Sequence, residues 1–110
     1  MSKTITAILT ILLLFAGLPL FAAGDAAVGK EVYLKKCASC HGPGGEGKDQ
    51  IAQLMKIKFT HLGSKEVQTK SDAELKKIPL EGTGKMKPVK DLDDKAVENI
   101  VAFLRTLAQK

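Results

Sequence analysis

The sequence predicts an all-α domain of three to four helices. Three observations predict it. Apolar residues at Val97, Ile100, Val101, Leu104, Leu107 and Ala108 recur at the 3-4 spacing of one helix face. Helix-starting residues stand at Asp25, Ser71 and Asp93. No segment reads as a sheet strand, and there are no internal repeats or low-complexity tracts.

Residues 1–23 stand apart from that domain. Lys3 supplies a short positive region, and Ile8 to Leu18 form an apolar run interrupted only by Thr10 and Gly17. Pro19, Ala22 and Ala23 then follow, so the pattern predicts a secretory signal peptide cut after Ala23 and a domain spanning 24–110. Ile5 to Ala23 nearly reaches the roughly 20 apolar residues of a spanning helix. Proline ahead of small residues favours cleavage over an uncleaved anchor. No cysteine lies near the cut, so a lipidated N-terminus is not expected. The reading places the domain in a periplasm or another exported space, without stable membrane insertion once the signal is removed.

In chain order, Asp25 caps a first helix of about residues 26–38, with Val28, Val32 and Tyr33 on one side. Gly42-Pro43-Gly44-Gly45-Glu46-Gly47 ends it. Residues 48–70 show little periodicity; a short helix there would carry Ile51, Leu54, Met55 and Ile57. Ser71-Asp72-Ala73-Glu74 has the spacing of a capping box and opens a short helix that Pro79 is expected to stop. Gly82 to Pro88 is a loop. The last helix starts at Asp93, with Leu92 placed to staple onto Val97.

Composition bounds what such a domain can be. Without residues 1–23 the chain has 87 of its 110 residues, few for a self-sufficient core. It has no Trp, its only Tyr is Tyr33, and its only Phe residues outside the signal are Phe59 and Phe103. Something other than side chains is expected to fill its centre. Sixteen basic residues face twelve acidic ones in residues 24–110. The charges are interspersed and form no basic stripe with aromatics, which speaks against nucleic-acid binding.

Cys37-Ala38-Ser39-Cys40-His41 carries the chemistry. Two thiols at this spacing reach the two vinyl groups of a haem as thioethers, and the same turn of chain sets an imidazole under the iron. A covalent tether suits a domain too small to enclose its cofactor. A thioredoxin-like pair would need a strand-to-helix setting in a βαβ unit. Zinc would need four ligands, yet Cys37, Cys40, His41 and His61 are the only Cys and His residues available. A disulfide across two residues would close too small a loop to staple anything.

With these residues in view, the chain from about Asp25 to Leu107 resembles a small bacterial class I cytochrome c. The resemblance rests on Gly29 and Tyr33 ahead of Cys37, the Cys37-to-His41 motif and the glycines after it. It continues with Met86 in a Gly/Pro loop and the final helix; between about residues 48 and 70 it is loose. It implies a fold of three to four helices wrapped around one covalent haem c, with the first and last helices crossing beside it. A small residue at Gly29 would let them approach, with Tyr33, Ile100, Phe103 and Leu104 packed alongside. Cys37 and Cys40 would hold the haem, and His41 would be one axial ligand of its iron.

The resemblance also offers Met86, in Gly82-Thr83-Gly84-Lys85-Met86-Lys87-Pro88, as the second axial ligand. A thioether is a neutral, soft ligand that favours reduced iron and raises the potential. Methionine more often fills core gaps, but Met86 stands between two lysines with no apolar neighbour. Lys87 intervenes where the family more often has proline directly after the methionine. Met55, His61 or a vacant sixth site are the alternatives, with Met55 reading as ordinary core and His61 as a surface residue. The family's proline carbonyl, which accepts from the axial histidine, has no counterpart between Pro43 and Pro79, so that acceptor is left unassigned.

The expected function is single-electron carriage without transformation of a substrate, by a monomer meeting redox partner proteins. Lys35, Lys36, Lys48, Lys56, Lys58, Lys85, Lys87 and Lys90 either form a docking ring for an acidic partner or are simply a solvated surface. Alternatives are a peroxidase-like or gas-sensing haem protein with a labile sixth ligand, or a haem subunit of a larger redox complex. The glycines of 42–47 lack the following Lys-Ser/Thr and preceding strand of a phosphate loop.

Overall fold

A computed structural model describes residues 24–110, so the signal-peptide reading of residues 1–23 lies outside the described residues. These fold as six helical segments: α1 (Ala26–Lys36), α2 (Ala38–His41), α3 (Asp49–Met55), α4 (Lys65–Gln68), α5 (Asp72–Glu81) and α6 (Asp94–Thr106). Four have seven residues or more, and α2 and α4 are single turns. No strand occurs among the described residues, only an isolated bridge between Thr83 and Met86.

The caps form where the sequence places them. Asp25 Oδ1 accepts from the N–H groups of Ala27 and Val28 at 2.9 and 3.2 Å, and Asp93 Oδ1 accepts from Ala96 N–H at 2.7 Å. Ser71 Oγ accepts from Glu74 N–H at 3.2 Å. Pro79 does not stop α5, which runs on to Glu81. A proline removes its own N–H and crowds the carbonyl four residues earlier, yet the helix carries on past it, and the chain leaves at Gly82, where φ reaches 79°. α1 ends at Lys36 rather than at residue 38, because φ widens to −118° at Cys37 before α2 begins. Val28 is not on the buried face; it is 43% exposed. Gly29 is what meets α6, and successive helix residues point about 100° apart.

α1 and α6 pack together as the centre of the fold. Tyr33, Ala38, Ile100, Phe103 and Leu104 form one buried cluster, with Val32, Cys37, Leu62, Leu92 and Leu107 against it. The Tyr33 and Phe103 rings lie 5.0 Å apart, tilted by 51°. A second cluster of Val67, Leu75 and Val101 fixes α4 and α5 to the other side of α6. Ala108 lies beyond the helix end and is exposed. Leu54 is 79% exposed, so the short helix α3 turns that residue outward rather than into a core.

Candidate functional site

Cys37, Cys40, His41 and Met86 line one cavity of about 620 Å³. Three of them come from the α1–α2 junction. Cys37 stands at the N-cap of α2, and Cys40 and His41 complete its single turn, so the two sulfurs project three positions apart on the helical spacing. The glycine loop that follows is tied back onto this turn. Gly47 N–H donates to His41 O at 2.6 Å and Lys48 N–H to Cys40 O at 2.9 Å, satisfying carbonyls that a helix end leaves open. Gly42, Gly45 and Gly47 all have φ near 80°, a conformation that suits glycine. Tyr33 Oη donates to Gly42 O at 2.5 Å, joining the core cluster to the residue next to His41.

The electrostatics of the turn suit tethering and ligation rather than thiol chemistry. Both cysteines are free and half-buried. Burial pushes the Cys37 thiol up to about 11, with Lys36 opposing, so it is a protonated thiol at neutral pH; reactive cysteines are shifted the other way. Burial also holds the His41 imidazole below its ordinary value, which keeps it neutral with a lone pair to offer. His41 Nδ1 is buried and has no hydrogen-bond partner among the described residues, so the acceptor left unassigned from the sequence stays unassigned. Phe59 meets the His41 ring edge-on at 5.3 Å and 63°, and this contact bears on the orientation of the ring.

Met86 reaches the cavity from the loop after α5. Its N–H donates to Thr83 O at 2.8 Å and its carbonyl accepts from Thr83 N–H at 2.9 Å, closing a tight turn. Gly82 and Gly84 carry the positive φ values on either side of Thr83, 79° and 54°. Val89 N–H donates to Pro79 O at 2.8 Å and ties the loop's far end to α5. Met55 lines the same cavity instead of filling a core. His61 does not line it, and its Nδ1 accepts from Gly63 N–H at 2.9 Å.

Much of the cavity wall escaped sequence reasoning. Ile57, Phe59, Leu62 and Val89 line it from loop segments, and Val67 and Ile78 from α4 and α5. Ile57 and Phe59 sit two apart in a stretch outside any helix, and that alternation is the signal that would have found them. Of the lysines nominated for a docking ring, Lys36, Lys58, Lys85 and Lys87 line the cavity, and Lys70 joins them. Two are also hydrogen-bonded: Lys36 Nζ donates to Lys90 O at 3.1 Å and Lys85 Nζ to Met55 O at 2.6 Å.

Two thiols, a half-buried imidazole and a thioether thus face one mainly apolar space, a donor set that fits an iron porphyrin held by thioethers. Among the described residues no cluster of three His, Cys, Asp or Glu exists that could hold a bare metal ion. No described helix is long and apolar enough to cross a membrane.

Comparison with known proteins sets the chain among c-type cytochromes. The family model described as cytochrome c oxidase, cbb3-type, subunit III matches residues 24–104. Cytochrome c-554(547) of Halothiobacillus neapolitanus is 36% identical over 90 residues, which covers 77% of this chain and 99% of that protein. The solved structure of the KustC0563 c-type cytochrome superposes with a TM-score of 0.62 at 28% identity, over 74% of this chain and 98% of the other.

Proposed function

The chain belongs to the cytochrome c family, and on that premise we propose an exported electron shuttle whose haem is tethered by Cys37 and Cys40, with His41 and Met86 as axial ligands. Family membership makes it a haem-based electron carrier with covalently bound haem c. When bound, the haem supplies one-electron cycling of its iron between the ferrous and ferric states. The observation that carries the ligand reading is the convergence of Cys37, Cys40, His41 and Met86 on one cavity.

The protein's own residues then have distinct tasks. Burial keeps His41 in the neutral form that can ligate. Met86 offers a soft neutral donor that favours reduced iron. The reciprocal Thr83–Met86 bonds hold that donor in a fixed turn, so little rearranges when charge changes. Ile57, Phe59 and Leu62 keep water from the cavity. Lys58, Lys70 and Lys87 line the same cavity and give a redox partner with an acidic surface something to dock on and leave quickly. The reading assigns no reaction to the chain itself. A peroxidase-like role needs a distal acid–base group, and His61 is bonded to Gly63 N–H away from the cavity.

A docked-subunit role is the second reading, favoured by the family model's description as an oxidase subunit. Co-purification with a larger complex at fixed stoichiometry would support it.

The deciding experiment is the visible spectrum, oxidised and reduced, of protein exported from a host competent in haem attachment. Sharp reduced bands that survive denaturation, with the weak far-red ferric band of thioether coordination, are expected. Covalent haem without that band would promote rapid carbon monoxide or peroxide chemistry at an open site. Absence of covalent haem would sink the tether reading.

A further inference from the structure

We propose that Lys85 is a positioning residue, a latch that holds the Met86 loop against the end of α3. The proposal rests on the reading of Met86 as an axial ligand. The loop's backbone ties, Thr83 with Met86 and Val89 with Pro79, lie within the loop and its own helix, and Lys36 Nζ of α1 reaches Lys90 O just past its far end at 3.1 Å. None of these fixes the Met86 side of the loop to another part of the cavity wall. Lys85 does, because its ammonium donates at 2.6 Å to the carbonyl of Met55, thirty residues away in sequence.

The acceptor is available for a physical reason. Met55 is the last residue of α3, and Lys56 then turns left-handed at φ 54°. Lys56 N–H goes back to Ala52 and Gln53, and Ile57 N–H goes to Ala52. The Met55 carbonyl receives no backbone N–H among the described residues, as expected for one of the last carbonyls of a helix. A cation is the group best suited to such a carbonyl. Met55 and Met86 both line the cavity, so the bond joins two segments of its wall. Lys87, the residue on the other side of Met86, provides an internal comparison. It carries the same charge and lines the same cavity, yet makes no hydrogen bond among the described residues.

The bond is exposed, so it is strong enough to bias the loop and weak enough to open. It sets how often the Met86 loop lifts away, and hence how readily an outside ligand reaches the site.

The test uses the haem-loaded exported protein with Lys85→Ala, Lys85→Arg and Lys87→Ala. It reads two quantities: hydrogen exchange at the Met86 amide and the rate of cyanide capture by the oxidised protein. Lys85→Ala should raise both by roughly three- to tenfold, the size of one exposed charged hydrogen bond. Lys85→Arg should restore both, and Lys87→Ala, which removes a cation from the same cavity wall, should leave the Met86 amide exchange near wild type. Unchanged rates in Lys85→Ala overturn the latch. So does an equal rise in Lys87→Ala, which would make the effect one of charge alone. Failure of the Met86 reading shows separately, as a wild-type spectrum without thioether coordination. The Met86 amide exchange then decides the latch by itself.

Discussion

Gly29 of α1 lies directly on the backbone carbonyl of Asn99 in α6, so close that a Cβ on residue 29 would overlap that oxygen. The obstacle is backbone, which has no rotamer to move aside. Gly29→Ala should therefore push α1 off α6 and disturb the cluster of Tyr33, Ile100, Phe103 and Leu104 that both helices build. We expect a loss of about 3 kcal/mol, the upper end for overpacking a well-packed contact. Gly44→Ala is the comparison, because a Cβ there meets only the flexible end of Glu46. Thermal unfolding of the two haem-loaded variants should show a large fall in Tm for the first and almost none for the second.

Tyr33 gives the fold an alkaline limit. Its phenol is pushed up to about 12, first by burial and then by negative charge at Cys37 and Glu46. Burial remains when Cys37 is a thioether. A phenol whose folded value exceeds its ordinary 10 contributes stability that is complete below about pH 10. That contribution is lost as pH rises through about 12. Tyr33→Phe should lose about 1 kcal/mol at neutral pH with the bond to Gly42 O. The gap to wild type should then shrink between about pH 10 and 12, because only wild type pays to ionise. Urea unfolding at about pH 8 and about pH 11 reads this difference; a gap unchanged between them would remove Tyr33 from the account.

The parts of this fold that local chemistry specifies were legible in the sequence. Asp25, Ser71 and Asp93 cap the helices they were expected to cap, because a cap needs only its own residue and the next three. The motif from Cys37 to His41 and the loop methionine Met86 were named from the sequence, and the fold brings them to the wall of one cavity. What was not legible depends on distant partners. Pro79 reads as a stop, yet the helix end is set by Gly82. Leu54 and Met55 are adjacent apolar residues on one short helix; tertiary packing alone sends the first to solvent and the second to the cavity wall. Residues 57–60 lie outside any helix and alternate over only two apolar positions, although they supply Phe59 to the edge of His41.

The cavity makes folding depend on what fills it. Its wall side chains Ile57, Phe59, Leu62, Val67, Ile78 and Val89 border about 620 Å³ that no described side chain occupies, beside two small buried clusters. The Cys37→Ala, Cys40→Ala double variant, isolated without haem, should therefore be largely unfolded at room temperature. Its far-UV circular dichroism should show little helix and no cooperative melt. A sharp thermal transition in that variant would mean that α1 and α6 hold the fold together unaided.

Three side chains compete on paper for the second axial position, and their surroundings separate them. Met86 lines the cavity from a turn that fixes its backbone on both sides through Thr83. Met55 lines the cavity as well, but its carbonyl is committed to Lys85 and its neighbour Leu54 faces solvent. His61 is off the cavity with Nδ1 engaged by Gly63. Met86→Ala should abolish the ferric thioether band, lower the reduction potential and open the iron to added imidazole. Met55→Ala should keep the band while costing about 1–2 kcal/mol, since a half-buried methionine is truncated. His61→Ala should also keep it and cost about 1 kcal/mol for the lost hydrogen bond. Titrating the three oxidised variants with imidazole while following the band compares them directly. Should Met55→Ala be the one that loses the band, the axial assignment passes to α3, and the Lys85 bond would then hold the ligand's own carbonyl.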